Sequence, residues 1–359
     1  MLTILIFIIV LSIIVLAHEL GHFIVAKRQG MTVEEFGFGF PPRIFSFKKG
    51  ETRYSINLIP FGGFVKILGE SGECIDSPKS FFSKKIGQRA KVTVAGVAMN
   101  FLLAFILLTT CNVLGLRVGL DDNKTGKAKD IKIQIVQVAN NSPVQQADIK
   151  PLDEILELRF DKEIIAPQKI IDVQNFVSTH KGETIDIKFS RGNEVFEKSL
   201  FVRPNPPENE GSLGVSLAKT GVVSYRWYEA IWRGAYDTGI LAWRLVVGLV
   251  DFVRSSFVDG KVMDEVSGPV GIAIMTGQAA KQGFSYLLQF ISLISINLAV
   301  INLIPFPALD GGRLLFLLIE KIKRKPVNRR VEGIINTAGF MLLIVLMIWI
   351  TMKDVIRYF

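Results

Sequence analysis

Four long runs of apolar residues divide the chain. They extend over Met1 to Ala26, Val92 to Leu116, Phe284 to Phe306 and Ile334 to Ile350. A helix rises about 1.5 Å per residue, so about 20 apolar residues cross the ~30 Å hydrocarbon layer of a bilayer. The pattern therefore predicts a polytopic α-helical membrane protein with about four transmembrane helices.

The polar segment between the second and third runs has a different periodicity. Ile131 to Val138 and Thr184 to Phe189 alternate as strands do, and Gln174 to Ser178 has helical spacing. These patterns predict one inserted α+β domain over residues 120–219, after an N-terminal membrane half at 1–119 and before a C-terminal membrane half at 284–359.

The segment 220–283 is ambiguous. Thr238 to Val250 is apolar but short, and it contains Arg244. Trp227, Trp232 and Trp243 suit the boundary between lipid and water, so we predict an interfacial helix in this region.

A second unusual stretch follows the first apolar run. Residues 53–69 contain strand-like runs on both sides of Pro60 and of the pair Gly62 and Gly63, which predicts a β-hairpin. Its apolar character favours a hairpin that dips into the membrane beside the helices, since exposed backbone is tolerated at that depth only when protein or water covers it. A hairpin on the solvent side is the alternative.

The distribution of charged residues predicts which loops lie on the cytoplasmic side of the membrane. The formal net charge is +9, and 49% of the residues are hydrophobic. Lys and Arg cluster beside the spans, between Lys27 and Lys91 and between Lys321 and Arg330, so we expect both loops on the cytoplasmic side and no nucleic-acid partner.

The candidate chemistry lies within the first span, in the sequence His18-Glu19-Leu20-Gly21-His22. Histidines four apart on a helix share one face and can bind one zinc ion, while the intervening glutamate can take a proton from water. Ionisable groups are costly inside a membrane, which favours a functional site. Polar side chains that only satisfy one another between helices are the structural alternative.

A hydrolytic zinc site usually has three protein ligands. The remaining histidine, His180, lies in the inserted domain, so the third ligand should be a carboxylate. Asp310 is the candidate, because it follows the third span and the helix-breaking residues Pro305 and Pro307. The alternative is a kinked helix that Asp310 merely caps.

Two resemblances follow from these motifs. Asn141 to Ile155 resembles the signature of PDZ domains, with Asp148 and Leu152 where that signature has glycine. The histidine motif, the run Asn302 to Arg313 and the Gly-Gly-Phe-Val-Lys stretch together resemble the site-2 protease family of intramembrane zinc metalloproteases, of the bacterial type that acts in regulated intramembrane proteolysis.

The second resemblance implies a mechanism. One Zn²⁺ per chain would be bound by His18, His22 and Asp310, and Glu19 would be the catalytic base. The family also implies that Asn302 contacts the substrate backbone or the developing oxyanion. It implies further that the substrate binds to an edge strand that contains Gly62, Gly63, Phe64 and Val65.

The expected function is cleavage of transmembrane segments of single-pass proteins, such as anti-sigma factors or signal-peptide remnants, in the bacterial cytoplasmic (inner) membrane. The active site would face the cytoplasm and the PDZ-like domain would be extracytoplasmic. Two alternatives are an inactive scaffold that binds partners through the PDZ-like domain and a metal permease, for which the other spans offer no relay of charged residues.

Overall fold

The computed structural model describes residues 2–70, 77–120, 128–192, 194–207, 210–258 and 268–358. Its helices are α1 (Leu2–Arg28), α2 (Ile86–Leu114), α3 (Pro143–Gln146), α4 (Ile170–Thr179), α5 (Trp227–Val258), α6 (Pro269–Gln282), α7 (Phe284–Leu303), α8 (Asp310–Lys323) and α9 (Arg329–Tyr358). Its strands are β1 (Val33–Lys49), β2 (Thr52–Ile67), β3 (Leu116–Gly119), β4 (Lys129–Val138), β5 (Glu154–Phe160), β6 (Glu163–Ile165), β7 (Thr184–Arg191), β8 (Glu194–Phe201) and β9 (Val215–Val223).

Four of the described helices are long and apolar enough to cross a membrane, namely α1, α2, α7 and α9. They coincide with the four predicted runs, so this part of the prediction is confirmed. The helices extend beyond the apolar runs at several ends, because helical backbone continues into the polar flanks that hydropathy excludes.

The chain forms two compact units. The first comprises Met1–Thr109, Ile231–Gln278 and Leu288–Phe359, and the second comprises Thr110–Ala230 and Ala279–Leu287. The second unit contains a seven-stranded sheet in the order β3-β9-β4-β5-β7-β8, with β6 paired to β5. The predicted inserted sheet domain is thus present, and β4, β7 and α4 include the segments whose periodicity predicted them.

The core of the second unit is formed by inward-facing residues of the strands and of α4. Ile135, Leu158, Ile187 and Phe189 are fully buried there. Alternation along β7 explains this arrangement, since successive strand residues point to opposite faces of the sheet.

The turn before β5 has two residues other than glycine in the left-handed conformation that glycine usually adopts. Asp148 has a φ of 58° and Leu152 a φ of 75°, both in the left-handed region. Asp153, in the same turn, is fully buried and forms an ion pair with Arg191, with an Nη2–Oδ2 distance of 2.7 Å. The turn is therefore held in a conformation that L-residues adopt at some cost in energy.

The first unit contains a small sheet built from β1 and β2, each of which folds back on itself. Residues 33–38 of β1 pair with residues 63–67 of β2 on one side and with residues 53–56 on the other. The two arms around Pro60 are therefore strands as predicted, but they do not pair with each other as a simple hairpin would, because part of β1 lies between them. Glycine and proline residues bend both strands and make this possible.

The segment 63–67 is an outer edge of this sheet. No described strand pairs with its other side. At the opposite edge, large apolar side chains are exposed, among them Ile44, Phe45 and Phe47.

Helix α5 is longer than the predicted interfacial segment. Its residues Leu241, Ala242, Leu245 and Leu249 pack against a cluster formed by α2 and α7. Arg244 and Asp251 lower its apolar content below that of the four spans, although one face contacts two of them. Its position in the membrane remains a prediction.

Candidate active site

Two faces of α1 have different neighbours. Ser12, Val15, Leu16 and Glu19, at positions i, i+3, i+4 and i+7, face the small sheet. His18, Gly21 and His22 form a second stripe, which faces α2. This spacing follows from 3.6 residues per helical turn.

Glycines allow α1 and α2 to approach closely. A Cβ on Gly21 would lie 2.2 Å from the carbonyl oxygen of Ala95, and a Cβ on Gly96 would lie 2.4 Å from Nε2 of His22. Real side chains do not occupy such distances, so only glycine fits at either position. The imidazoles therefore lie directly against the backbone of α2.

Asp310 reaches the same point from α8. The segment before it folds tightly over the first turn of this helix, since a Cβ on Gly311 would lie 2.1 Å from the carbonyl oxygen of Ile304. Asp310 is the first residue of α8 and does not cap it, because the N-cap position is Leu309. The alternative of a merely capping Asp310 is thus not what the structure contains.

Three candidate ligand atoms converge between these elements. Nε2 of His18 and Nε2 of His22 are 3.2 Å apart, and Oδ2 of Asp310 lies 3.2 Å from the first and 3.4 Å from the second. Ligands about 2.0–2.1 Å from a tetrahedral zinc ion are about 3.3 Å from one another, so the triangle has the size that zinc requires.

The chemistry of the donors also fits a cation. Oδ2 of Asp310 is buried and has no hydrogen-bond partner among the described residues. Nδ1 of His22 lies 2.8 Å from the carbonyl oxygen of Val92. Since a carbonyl only accepts, Nδ1 donates its proton to it and leaves the lone pair of Nε2 facing the other two ligand atoms.

A cavity of about 370 Å³ adjoins this triangle. Glu19, Asn302, Phe64 and Val65 line it together with the three ligand residues. Gly63 is next to Glu19, where a Cβ would lie 3.5 Å from the Cγ of the glutamate. Gly62 has a φ of 100°, which suits the bend that leads into the edge strand.

Two ion pairs near the cavity were not predicted from the sequence. Arg313, one turn after Asp310 on α8, pairs with Glu70, which follows β2. The Glu70 carboxylate raises the pKa of the Arg313 guanidinium above its ordinary value. Arg89 of α2 pairs with Glu320 of α8 at 2.5 Å and is almost completely buried. These pairs connect α8 to the sheet and to α2.

Sequence reasoning also missed Val92, Gly96 and Asn100 of α2. Val92 contacts one histidine through its backbone, Gly96 contacts both, and Asn100 is 3.3 Å from Nδ1 of His18. Only the buried Asn100 left a signal in the sequence, as an amide within an apolar run.

An apolar helix bundle with a His-His-Asp triangle and a glutamate in the adjoining cavity defines the class of membrane-embedded zinc hydrolases. The comparisons with known proteins specify it further. The sequence profile of peptidase family M50 matches residues 6–346, and the chain belongs to this family, the site-2 proteases.

Relatives cover nearly the whole chain. It is 38% identical over 346 residues to the candidate zinc metalloprotease CPE1693 of Clostridium perfringens, with 96% of each chain covered. It is 32% identical to the regulator of sigma-W protease RasP of Bacillus subtilis and 32% identical to the zinc metalloprotease RasP of Bacillus licheniformis, with 99% of each chain covered in both cases.

The chain is therefore an integral membrane zinc metalloprotease. The expected enzyme class, cofactor and family are confirmed, and the scaffold and permease alternatives are set aside.

Proposed function

We propose that this protease cleaves transmembrane segments of single-pass membrane proteins, with His18, His22 and Asp310 as the zinc ligands and Glu19 as the catalytic base. The triangle of ligand atoms at the edge of a lined cavity is the observation that carries this proposal. When bound, zinc supplies a Lewis acid that polarises the scissile carbonyl and makes water easier to deprotonate.

The side chains around the cavity have separate tasks. Glu19 takes the proton of the attacking water and later donates it to the leaving amine. Asn302 lines the same cavity and can hydrogen-bond the substrate backbone through its amide. His22, held by the carbonyl of Val92, keeps a fixed orientation throughout.

The edge strand can bind the unwound backbone of a helical substrate. A transmembrane helix must unwind before its peptide bonds can be attacked, which leaves backbone groups without partners in an apolar place. The segment from Gly63 to Ile67 is an outer edge of the described sheet and lies beside Glu19, so a substrate strand can add to it. The exposed apolar residues Phe45 and Phe47 support insertion of this sheet into the membrane.

The inserted domain is proposed to be PDZ-like. Among the described strands, none pairs with the first half of β9 on the side opposite β4, and α4 lines a groove of about 460 Å³ with residues 215–217 of β9. The left-handed conformations of Asp148 and Leu152 support the turn geometry of the PDZ signature. We assign this domain to the selection of substrates before cleavage.

A substitution at the rim of this groove tests its use. Gln174 of α4 lines the groove, whereas the adjacent exposed Asn175 does not. Gln174→Trp should weaken binding of labelled peptides to the full-length protein, and Asn175→Trp should leave it unchanged. Equal binding by both variants would remove the groove from the proposal.

Charge distribution and relatives supply the cellular setting of the proposal. The basic clusters support an active site on the cytoplasmic side and a PDZ-like domain on the extracytoplasmic side of a bacterial cytoplasmic membrane. The name of the Bacillus subtilis relative refers to regulation of sigma-W, which supports membrane-bound anti-sigma factors as the substrate class. Signal-peptide remnants meet the same geometric requirement.

The decisive experiment compares the wild type with Glu19→Gln in detergent or vesicles, using a single-pass reporter. The variant should lose cleavage and retain zinc, because Glu19 is not a ligand. Glu51→Gln is the matched control, since Glu51 is exposed and paired with Lys79 away from the cavity. Full cleavage by Glu19→Gln would refute the assigned base, and zinc retention by His18→Ala would refute the assigned ligands.

A further inference from the structure

Both imidazoles of the site have Nδ1 directed at α2, but their partners differ in kind. His22 faces the carbonyl oxygen of Val92, which only accepts. His18 faces the side chain of Asn100, with 3.3 Å between Nδ1 and the amide nitrogen Nδ2. An amide offers an acceptor at one end and donors at the other, so the orientation of this side chain determines the tautomer of His18.

The shape of the Asn100 amide permits the reverse orientation. Asn100 is completely buried, and its Oδ1 has no hydrogen-bond partner among the described residues. The oxygen and nitrogen of an amide have nearly the same shape, so a half-turn about the last side-chain bond exchanges them without new contacts. Oδ1 then accepts the proton of Nδ1 of His18, and the amide nitrogen takes the position that Oδ1 leaves.

The exchange also gives His18 the form that a ligand requires. With its proton on Nδ1, the imidazole has a lone pair on Nε2, the atom that lies 3.2 Å from Oδ2 of Asp310. With the amide nitrogen facing Nδ1, Nε2 would carry the proton and could not bind a metal ion. Metal-bound histidines in general donate the other ring N–H to an acceptor of the protein.

The position of Asn100 is itself fixed by a third helix. Its backbone carbonyl accepts a hydrogen bond of 2.9 Å from Oγ of Ser295 on α7. Ser295 is completely buried. A chain of contacts thus leads from α7 through α2 to His18.

We propose that Asn100 is a positioning residue that holds His18, through Oδ1, in the tautomer that can bind zinc. The proposal rests on the assignment of His18 as a ligand. It predicts that an acceptor at position 100 is required for tight zinc binding, and that the amide nitrogen is not.

Zinc affinity of the full-length protein tests this requirement, measured by competition with a chelator. Asn100→Ala removes the acceptor and should weaken zinc binding about 10- to 100-fold. Asn100→Asp keeps an acceptor and should bind zinc within a few-fold of the wild type. Asn112→Ala is the matched control, since Asn112 is an equally buried asparagine on the same helix outside the site, and it should bind zinc as the wild type does.

The outcomes separate this proposal from the proposed function. Equal loss of affinity in Asn100→Asp and Asn100→Ala, or an equal loss in Asn112→Ala, would overturn the role of Asn100. If His18→Ala binds zinc like the wild type, the assignment of the ligands fails instead. Nitrogen-15 spectra of labelled histidine in the zinc-loaded wild type give a test without substitutions, because His18 should carry its proton on Nδ1; a proton absent from Nδ1 would also overturn the proposal.

Discussion

The substitution Gly96→Ala in α2 adds one methyl group beside the zinc site and should strongly weaken zinc binding. Replacement by alanine would put a Cβ 2.4 Å from Nε2 of His22 and 2.7 Å from Cε1 of His18. Ordinary contacts begin at 3.4 Å, so the nearer ring would have to move by about 1 Å. Zinc–ligand distances are held to about 0.2 Å, and a shift of this size therefore breaks the ligand geometry.

The rest of the site offers no way to absorb the methyl group. α1 already contacts the backbone of α2 at Gly21, where no space remains for even a Cβ. Moving α1 away from α2 would separate the histidines from Asp310, which is held by α8. We therefore expect Gly96→Ala to lower the zinc affinity at least ~100-fold, about 2.8 kcal/mol at 1.4 kcal/mol per factor of ten.

The assay is zinc retention by purified protein against a series of chelator concentrations, with helix content followed by circular dichroism. Gly87→Ala is the control, because Gly87 is on the same helix and a Cβ there meets nothing within 4 Å. The control should retain zinc and helix content. Wild-type zinc affinity in Gly96→Ala would refute the close packing of the imidazoles on α2.

Three further predictions concern stability, each measured by thermal unfolding of the full-length protein in detergent. Asp354 of α9 is buried and accepts a hydrogen bond of 2.7 Å from the N–H of Gly271 in the first turn of α6, so Asp354→Ala should cost about 1 kcal/mol and Asp354→Asn less; equal losses would contradict a capping role. Asp148 has a left-handed backbone, so Asp148→Gly should be more stable than Asp148→Ala by about 0.5–1 kcal/mol. Both variants lose the carboxylate, but only alanine is strained in this conformation. A more stable alanine variant would argue against the left-handed conformation. Arg89→Met should cost about 3 kcal/mol, the lower end of the range for a broken buried pair, because Glu320 is only partly exposed and would lose its partner. Arg89→Met combined with Glu320→Leu should recover most of the loss; no recovery would show that packing of the arginine, not its charge, matters.

Much of the site was accessible from the sequence because its chemistry is local. The two histidines and Glu19 lie within one helical turn and a half, and Asp310 follows a pair of prolines that break a helix. Hydropathy locates the spans for a similar reason, since each span must be apolar over its own length. The structure brings the three ligand residues together although Asp310 is far from the histidines in the chain.

The arrangement of β1 and β2 could not be predicted in the same way. Alternation and turn residues predict that 53–69 contains two strands. They do not indicate that another strand lies between these two in the sheet. That information depends on how residues 33–38 pair with both arms, and the pairing is nonlocal. The length of α5 was underestimated because charged residues interrupt its apolar face.

The contribution of α2 was hidden for a different reason. Gly96 and Asn100 lie in an apolar run in which small and amide residues are compatible with any packed span. Their importance depends on distances to His18 and His22, which only the folded chain defines. The sequence therefore shows that a close contact between helices is allowed at Gly96, but it does not predict that the contact forms.

The two faces of α1 contact different parts of the site, so substitutions in those parts should have different effects. His18 and His22 face α2, which supplies the partners of their Nδ1 atoms, whereas Glu19 faces the sheet whose free edge begins at Gly63. Substitutions on α2 should therefore alter zinc affinity before they alter substrate preference. Substitutions along the edge strand should do the reverse, because that strand lies beside Glu19, the proposed base, and contributes none of the proposed ligands. Since both faces belong to one rigid helix, the distance between the metal-holding and substrate-holding groups is fixed by helix geometry and does not depend on the loops that join them.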